Sequence, residues 1–108
     1  MDVLRLHVER LNEGVRTGDF GPMLELLAPD AQLVFDGPAV GPFSGREAIG
    51  AAYRGQPPDD QIRIADERTE DDELVAGYAW AREPDVRAGE LRLRVRDGLI
   101  TRLVVSFD

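Results

Sequence analysis

Apolar residues recur at helical spacing in the first part of the chain and at every second position in most of the part after residue 30. The N-terminal stripe predicts an amphipathic helix over residues 2–17. We expect Gly18 to stop this helix, Asp19 to cap a second helix, and Pro29 to close that second helix. The residues of the N-terminal stripe are Leu4, His7, Val8, Leu11 and Val15.

The segment from Asp30 to Tyr53 joins a strand, a loop and a helix. Leu33 and Phe35 alternate with polar or outward-facing neighbours, which predicts a strand over residues 31–36 that ends at Asp36. The sequence GPAVGP follows, and its prolines and glycines disfavour regular pairing. A capping box formed by Ser44 and Glu47 then predicts a third helix that runs from Arg46 to about Arg54.

The remaining sequence predicts strands only. The Asp97-Gly98 dipeptide predicts a tight hairpin, in which Arg96 lies opposite Leu99. One-to-one pairing outward from this turn places Leu91, Leu93, Val95, Ile100, Arg102 and Val104 on one face and Arg92, Arg94, Thr101, Leu103 and Val105 on the other. The predicted strands span residues 61–68, 73–83, 89–96 and 99–107.

Three N-terminal helices cannot cover both faces of so many strands. We therefore predict an α+β fold in which a strongly curved, mainly antiparallel sheet wraps around the helices as a cone, with a pocket at its open end. The length fits one domain over residues 1–108.

Composition excludes several classes of function. A net charge of −8 disfavours nucleic acid as a partner, and no apolar run approaches the length of a membrane span. The absence of lysine removes Schiff-base chemistry, and the absence of cysteine removes thiolate metal sites. The N-terminus has no signal-peptide core, so we expect a cytoplasmic protein.

The stretch VFDGPAVGPFSGREAIGAAY resembles the Asp-Pro…Ser-Gly…Ile…Tyr segment of ketosteroid isomerases and of SnoaL-like members of the NTF2-like superfamily. The resemblance covers nearly the whole chain and implies the NTF2-like cone. It also places Asp36 where the isomerases keep their general base, and so implies proton transfer α to a carbonyl group. A carboxylate beside apolar walls has a raised pKa and becomes a competent base.

Two features qualify this assignment of Asp36. The oxyanion-hole positions of the isomerases fall here on Leu11 and, approximately, on Arg92, neither of which supplies the family's donor. Asp36 has a second interpretation, in which its carboxylate caps the loop by accepting hydrogen bonds from the backbone amides of residues 37–40.

Other candidate residues are assigned to ligand binding. Each also has a structural explanation: the aromatic residues as cavity wall, the single histidine as a core residue, and Arg102 as an arginine whose stem passes the apolar face. We predict no metal site and no cofactor. The ligand-binding candidates are His7, Leu11, Tyr53, Tyr78, Trp80 and Arg102.

Three classes of function remain open at this point: an isomerase or cyclase that uses Asp36, a pocket protein that only binds a small hydrophobic molecule, and a dimerisation module with a filled cone. We also predict a homodimer through the outer face of the last two strands. Its apolar centre would consist of Leu103, Val105 and Phe107, with Arg92 and Arg94 at the rim.

Overall fold

The computed structural model describes residues 2–37 and 40–108, and it has the predicted α+β cone. The elements are α1 (Val3–Thr17), α2 (Gly21–Leu24), β1 (Leu27–Asp36), β2 (Phe43–Ser44), α3 (Arg46–Gly55), β3 (Ile62–Glu70), β4 (Glu73–Trp80), β5 (Arg87–Arg96) and β6 (Leu99–Phe107). One sheet has the order β2-β1-β6-β5-β4-β3. The β1–β6 pair is parallel and the other pairs are antiparallel, so the sheet is mixed, as predicted.

Helix α1 lies on the concave side of the sheet and ends at Gly18, as predicted. The Asp2 carboxylate accepts hydrogen bonds from the backbone amides of Leu4 and Arg5, and Gly18 ends the helix in the left-handed conformation. The Asn12 side chain both donates to and accepts from the backbone of Ile62, at 2.8 Å in each case. This pair of hydrogen bonds fixes α1 against the edge strand β3 and sets the position of the helix's buried stripe.

The second and third helices differ from the prediction in their ends. Helix α2 has a single turn and Pro29 lies within β1, because the chain enters the sheet at Leu27. The N-cap of α2 is Phe20 and not Asp19 as predicted, although the Asp19 carboxylate accepts a hydrogen bond from the amide of Gly21, at 2.9 Å. Ser44 belongs to the short strand β2, and Gly45 is the N-cap of α3 without a side-chain hydrogen bond, so the capping box is wrong.

The hairpin between β5 and β6 contains a bulge that the sequence analysis missed. Arg96 pairs with Leu99 and Val95 with Ile100, as predicted, but Arg94 then pairs with Arg102. Thr101 is thus an extra residue, and beyond it every β6 side chain lies on the opposite face from the one predicted. The register Leu93–Leu103 and Leu91–Val105 replaces the predicted Leu93–Arg102 and Leu91–Val104.

The core of the protein lies between the helices and the concave face of the sheet, and the bulge turns the side chains of Leu103 and Val105 toward this core. Leu103 and Val105 are buried in this core together with Leu33 and Leu93. The predicted dimer surface built on Leu103 and Val105 is therefore wrong, since both side chains lie on the inner face. None of the helices in the described part of the chain has the length and apolar character that a membrane crossing requires.

Candidate functional site

A cavity of about 640 Å³ opens between α1, α3 and the concave face of the sheet. Its volume lies within the range of sites that hold small molecules. Five of the six predicted ligand-binding residues line it, and the exception is Arg102. The described lining consists of His7, Leu11, Phe35, Val40, Phe43, Ala51, Ala52, Tyr53, Gly55, Gln56, Pro57, Pro58, Ile62, Tyr78, Trp80, Leu91, Val105 and Phe107.

His7 reaches the cavity from the buried stripe of α1. Its side chain is 1% exposed, and neither ring nitrogen has a hydrogen-bond partner among the described residues. Burial lowers the pKa of the imidazole to about 4, so the ring is neutral at pH 7 and offers one donor and one acceptor. A buried polar group without a partner costs on the order of 1–3 kcal/mol. Among the described lining residues, His7 is therefore the one whose polar side-chain atoms are buried without a hydrogen-bond partner.

Tyr53 enters the cavity from the last turn of α3 and is held by the packing of the helices. Gly14 lets the Phe20 ring come so close that a Cβ atom on Gly14 would lie 2.3 Å from it. The Phe20 ring in turn packs against the Tyr53 ring, with 5.4 Å between the centroids. Burial, and secondarily the neighbouring Tyr78, raises the pKa of the Tyr53 hydroxyl, so Tyr53 is an uncharged donor and acceptor.

Tyr78 lies on β4 and its hydroxyl donates to the backbone carbonyl of Ser106 on β6, at 3.3 Å. Gly89 on the intervening strand β5 makes this reach possible, because a Cβ atom there would lie 2.9 Å from the Tyr78 oxygen. Burial, and secondarily the Asp108 carboxylate, raises the pKa of Tyr78. The Tyr78 donor is thus used within the protein, and only its acceptor capacity remains for a ligand.

Trp80 forms the wall next to Tyr78, with its ring edge-on to the Tyr78 ring at 5.8 Å. The guanidinium group of Arg82 lies over the outer part of the indole, 5.4 Å from its centroid. Trp80 is the only tryptophan in the chain, so its fluorescence reports directly on this cavity.

Aromatic and aliphatic side chains surround the mouth of the cavity. The Phe35 ring is stacked on Phe107 at 6.4 Å and meets Phe43 edge-on at 6.3 Å. Phe107 and Val40 remain about half exposed, at 47% and 48%. These side chains give the cavity an apolar, partly exposed rim.

Two of the predicted site residues lie elsewhere. Asp36 ends β1 as predicted, but its side chain is exposed and does not line the cavity; its neighbour Phe35 does. Arg102 lies on the convex face, because the bulge at Thr101 reverses its orientation. The loop-capping interpretation of Asp36 involves residues 38 and 39, which lie outside the described residues.

The sequence analysis missed several residues of the lining for identifiable reasons. Val105 and Phe107 were placed on the outer face because a bulge in a strand leaves no clear mark in the alternation. Val40 and Phe43 come from the Gly/Pro-rich segment, where no periodicity predicts orientation. Only the repeated aromatic residues near the ends of strands could have indicated the rim.

The chemical capacity of the cavity follows from what its wall contains. Within the described lining there is no carboxylate and no guanidinium group, and His7 is the only side chain that could accept a proton near neutral pH. A base with a pKa of about 4 is poorly matched to abstracting a proton from carbon. No cluster of metal-ligating side chains occurs in the described part of the chain. The cavity is suited to holding an uncharged molecule.

Comparison with known proteins agrees with this geometry. The family model of the SnoaL-like domain matches residues 8–103. The chain belongs to the SnoaL-like domain family. It is thereby a member of the NTF2-like superfamily and a pocket protein of that kind.

Solved structures with the same fold include natural and designed proteins. A candidate ketosteroid isomerase from Kribbella flavida is 19% identical with a TM-score of 0.70, over 98% of this chain and 75% of that one. An NTF2-like protein of unknown function from Burkholderia xenovorans is 15% identical with a TM-score of 0.72, over 98% and 83%. A computationally designed 17-OHP binder is 20% identical with a TM-score of 0.72, over 100% and 92%. At these identities the likeness establishes the fold alone. No curated protein matches the chain.

Proposed function

We propose that this SnoaL-like protein binds a small, uncharged, mainly apolar molecule in its cavity and does not transform it. The observation that carries the proposal is a cavity of about 640 Å³ whose described lining has no charged side chain. Transferring a charged ligand into such a site without a partner would cost far more than apolar contact returns. A cavity of this size also argues against the dimerisation module with a filled cone.

Ring-containing molecules fit the shape and chemistry of the site best. Flat aromatic walls on β1 and β4 offer extended contact, and the neutral polar groups of His7, Tyr53 and Gln56 are few enough to fix one orientation. Steroid-like, terpenoid or polyketide rings share these properties.

Quenching of Trp80 fluorescence by a panel of steroids, terpenoids and aromatic polyketide fragments tests the proposal. We expect saturable quenching by at least one neutral member and none by its charged analogues. Replacing Ala52, which lines the cavity, by phenylalanine should abolish the signal. Ala65→Phe is the matched control, since Ala65 is exposed on β3 and does not line the cavity. Equal quenching by both variants, or none by any compound in the wild type, would refute the proposal.

Proton transfer by Asp36 is the second candidate function. It is supported by the family resemblance and by the position of Asp36 next to Phe35, whose ring forms part of the rim. A carboxylate so placed could reach only a ligand that extends to the mouth.

Asp36→Asn separates the two functions. If the protein only binds, the variant should retain the affinity of the wild type for every ligand found in the quenching panel. If Asp36 is a base, exchange of the α-proton of a bound ketone for deuterium, followed by NMR, should occur in the wild type and stop in the variant. Exchange in the wild type that Asp36→Asn abolishes would replace binding by catalysis as the function.

We further propose that the chain forms a homodimer through its convex sheet face. Val34 and Val104 are paired in the β1–β6 register and both lie on this face, beside Arg92 and Arg102. This apolar centre with an arginine rim takes the place of the one predicted from the sequence. Light scattering over a concentration series should detect a dimer, and Val104→Glu should yield a folded monomer. A wild type that stays monomeric at high concentration contradicts the proposal.

A cytoplasmic location is retained as a proposal as well. Fractionation of the source cells followed by detection with an antibody would test it.

A further inference from the structure

The imidazole of His7 is the one polar group in the described part of the cavity wall that is fully buried and has no partner on either polar atom. Neighbouring positions of the same stripe on α1 are filled by Leu4, Val8 and Leu11, which make purely apolar contacts. Packing alone would be served equally well by another apolar side chain at position 7. The cost of the unpaired ring therefore calls for a partner that comes from outside the chain.

The protein itself supplies little that could compete for His7. The Tyr78 hydroxyl donates to the carbonyl of Ser106. Tyr53 and Gln56 also line the cavity, but neither forms a hydrogen bond with His7. The ring lies at the wall of a cavity large enough to admit a ligand. A ligand atom in this cavity is thus the available partner for one of the His7 nitrogens.

The chemistry of a neutral imidazole defines what this atom is. One ring nitrogen donates, so it is satisfied by an oxygen with a lone pair. A hydroxyl or a carbonyl oxygen meets this requirement without carrying charge into an apolar site. A carboxylate does not, because no cation in the described lining would compensate for its burial.

We propose that His7 is the specificity-determining residue of the cavity, donating a hydrogen bond to a neutral hydroxyl or carbonyl oxygen on an otherwise apolar ring system. The proposal rests on the proposed binding function and names the substrate class of that site. Within the cavity, the oxygen would point toward α1 and the ring system toward the aromatic rim.

Four compounds with one ring skeleton test the proposal: fluorene, 9-fluorenol, 9-fluorenone and fluorene-9-carboxylate. Their affinities are measured by equilibrium dialysis with the intact protein in excess, at pH 7. We expect the wild type to bind the alcohol and the ketone about tenfold more tightly than the hydrocarbon, as one buried hydrogen bond provides. The carboxylate should bind more weakly than all three.

Variants of His7 assign the preference to this residue. His7→Phe should still bind fluorene but lose the preference for the oxygenated compounds, and His7→Gln, which keeps a donor, should retain part of it. Val8→Ile is the control, since Val8 lies beside His7 on α1 but does not line the cavity, and it should leave the preference intact.

The outcomes distinguish this proposal from the binding function on which it rests. Binding of fluorene and 9-fluorenol with equal affinity by the wild type, or an unchanged preference in His7→Phe, overturns the role of His7 and leaves the binding function standing. Failure of all four compounds to bind the wild type, with no quenching in the wider panel, overturns both.

Discussion

The concave and convex faces of strands β4, β5 and β6 differ sharply in charge, although the same strands form both faces. The concave face contributes Tyr78, Trp80 and Leu91 to the cavity, and no charged residue of these strands lines it. The convex face carries ion pairs between Arg68, Arg87, Arg92, Arg94 and the acids Asp66, Glu70, Glu73, Glu90 and Asp108. The chain thus keeps its charges away from the site although it is strongly acidic overall.

The small residues of β4 illustrate what this division achieves. Val75, Gly77 and Ala79 form a shallow face of this strand, which lies on the convex side of the sheet and is buried there. Val75 pairs with Arg68 and Arg92, whose long side chains flank it, and the amide of Gly77 donates to the Asp66 carboxylate at 3.2 Å. The shallow face therefore receives the protein's own charged side chains instead of a ligand.

The largest expected effect on stability comes from placing a charge on the concave face, and it is tested by comparing substitutions at two adjacent residues of β6. Leu103 is 2% exposed and lies against Leu33 and Leu93, so Leu103→Glu buries an unpaired charge. We expect a loss of at least about 4 kcal/mol in the free energy of unfolding, measured by urea denaturation.

Val104→Glu is the matched variant on the convex face. It places the same charge one residue further along β6, beside Arg92, and should change the free energy of unfolding of the monomer, measured at a protein concentration too low for dimerisation, by no more than about 1 kcal/mol. A larger loss from Val104→Glu than from Leu103→Glu would mean that the bulge at Thr101 is misplaced and that the register predicted from the sequence is correct.

The second prediction concerns the pH dependence that the buried His7 confers. Its pKa is lowered from 6.5 to about 4, so between these values the unfolded chain binds a proton that the native protein does not. The free energy of unfolding therefore carries no penalty from His7 above about pH 6.5, and it decreases as the pH falls from 6.5 toward 4. Between pH 7 and pH 5 we expect a loss of about 2 kcal/mol in the free energy of unfolding.

His7→Phe is the control for this dependence, because it removes the titrating group and the unpaired nitrogens at similar volume. Tyr53 and Tyr78 are the other titratable groups of the described lining, and both stay protonated in this range. Urea denaturation of both proteins at pH 7 and pH 5 gives the difference due to His7. Equal losses in wild type and variant would mean that His7 is accessible to water in the native state.

The fold was predictable because its main signals are local. The switch from helical to alternating periodicity near residue 30, the Asp97-Gly98 turn and the caps of α1 each determine structure within a few residues. Of the cavity residues, those on long regular elements, such as His7, Leu11, Tyr78 and Trp80, were also predictable. Their direction follows from periodicity alone.

What escaped prediction depends on single residues that break a period. The bulge at Thr101 reverses the face on which each later β6 side chain lies, which moves Arg102 out of the site and Val105 into it. No residue type in the sequence indicates a bulge of this kind. Asp36 was placed in the site by the family resemblance. The strand does end at Asp36, as the resemblance implies, but the Asp36 side chain is exposed. The helix ends at Ser44 and Pro29 were misjudged because strand pairing outweighed the local capping and helix-breaking signals.

The smallest expected effect tests the convex face through Arg92, which pairs with Glu70 at 2.9 Å and with Glu73 and Glu90 at 3.5 Å. Its side chain is 32% exposed, so water and salt screen these pairs. Arg92→Met keeps a stem beside Val75 and removes only the charge, and we expect a loss below about 1 kcal/mol that shrinks as NaCl rises. Ligand affinity should not change, because the two faces are separate. A loss that high salt leaves unaltered would mean that Arg92 acts through packing, and a changed affinity would mean that the charged face is coupled to the cavity.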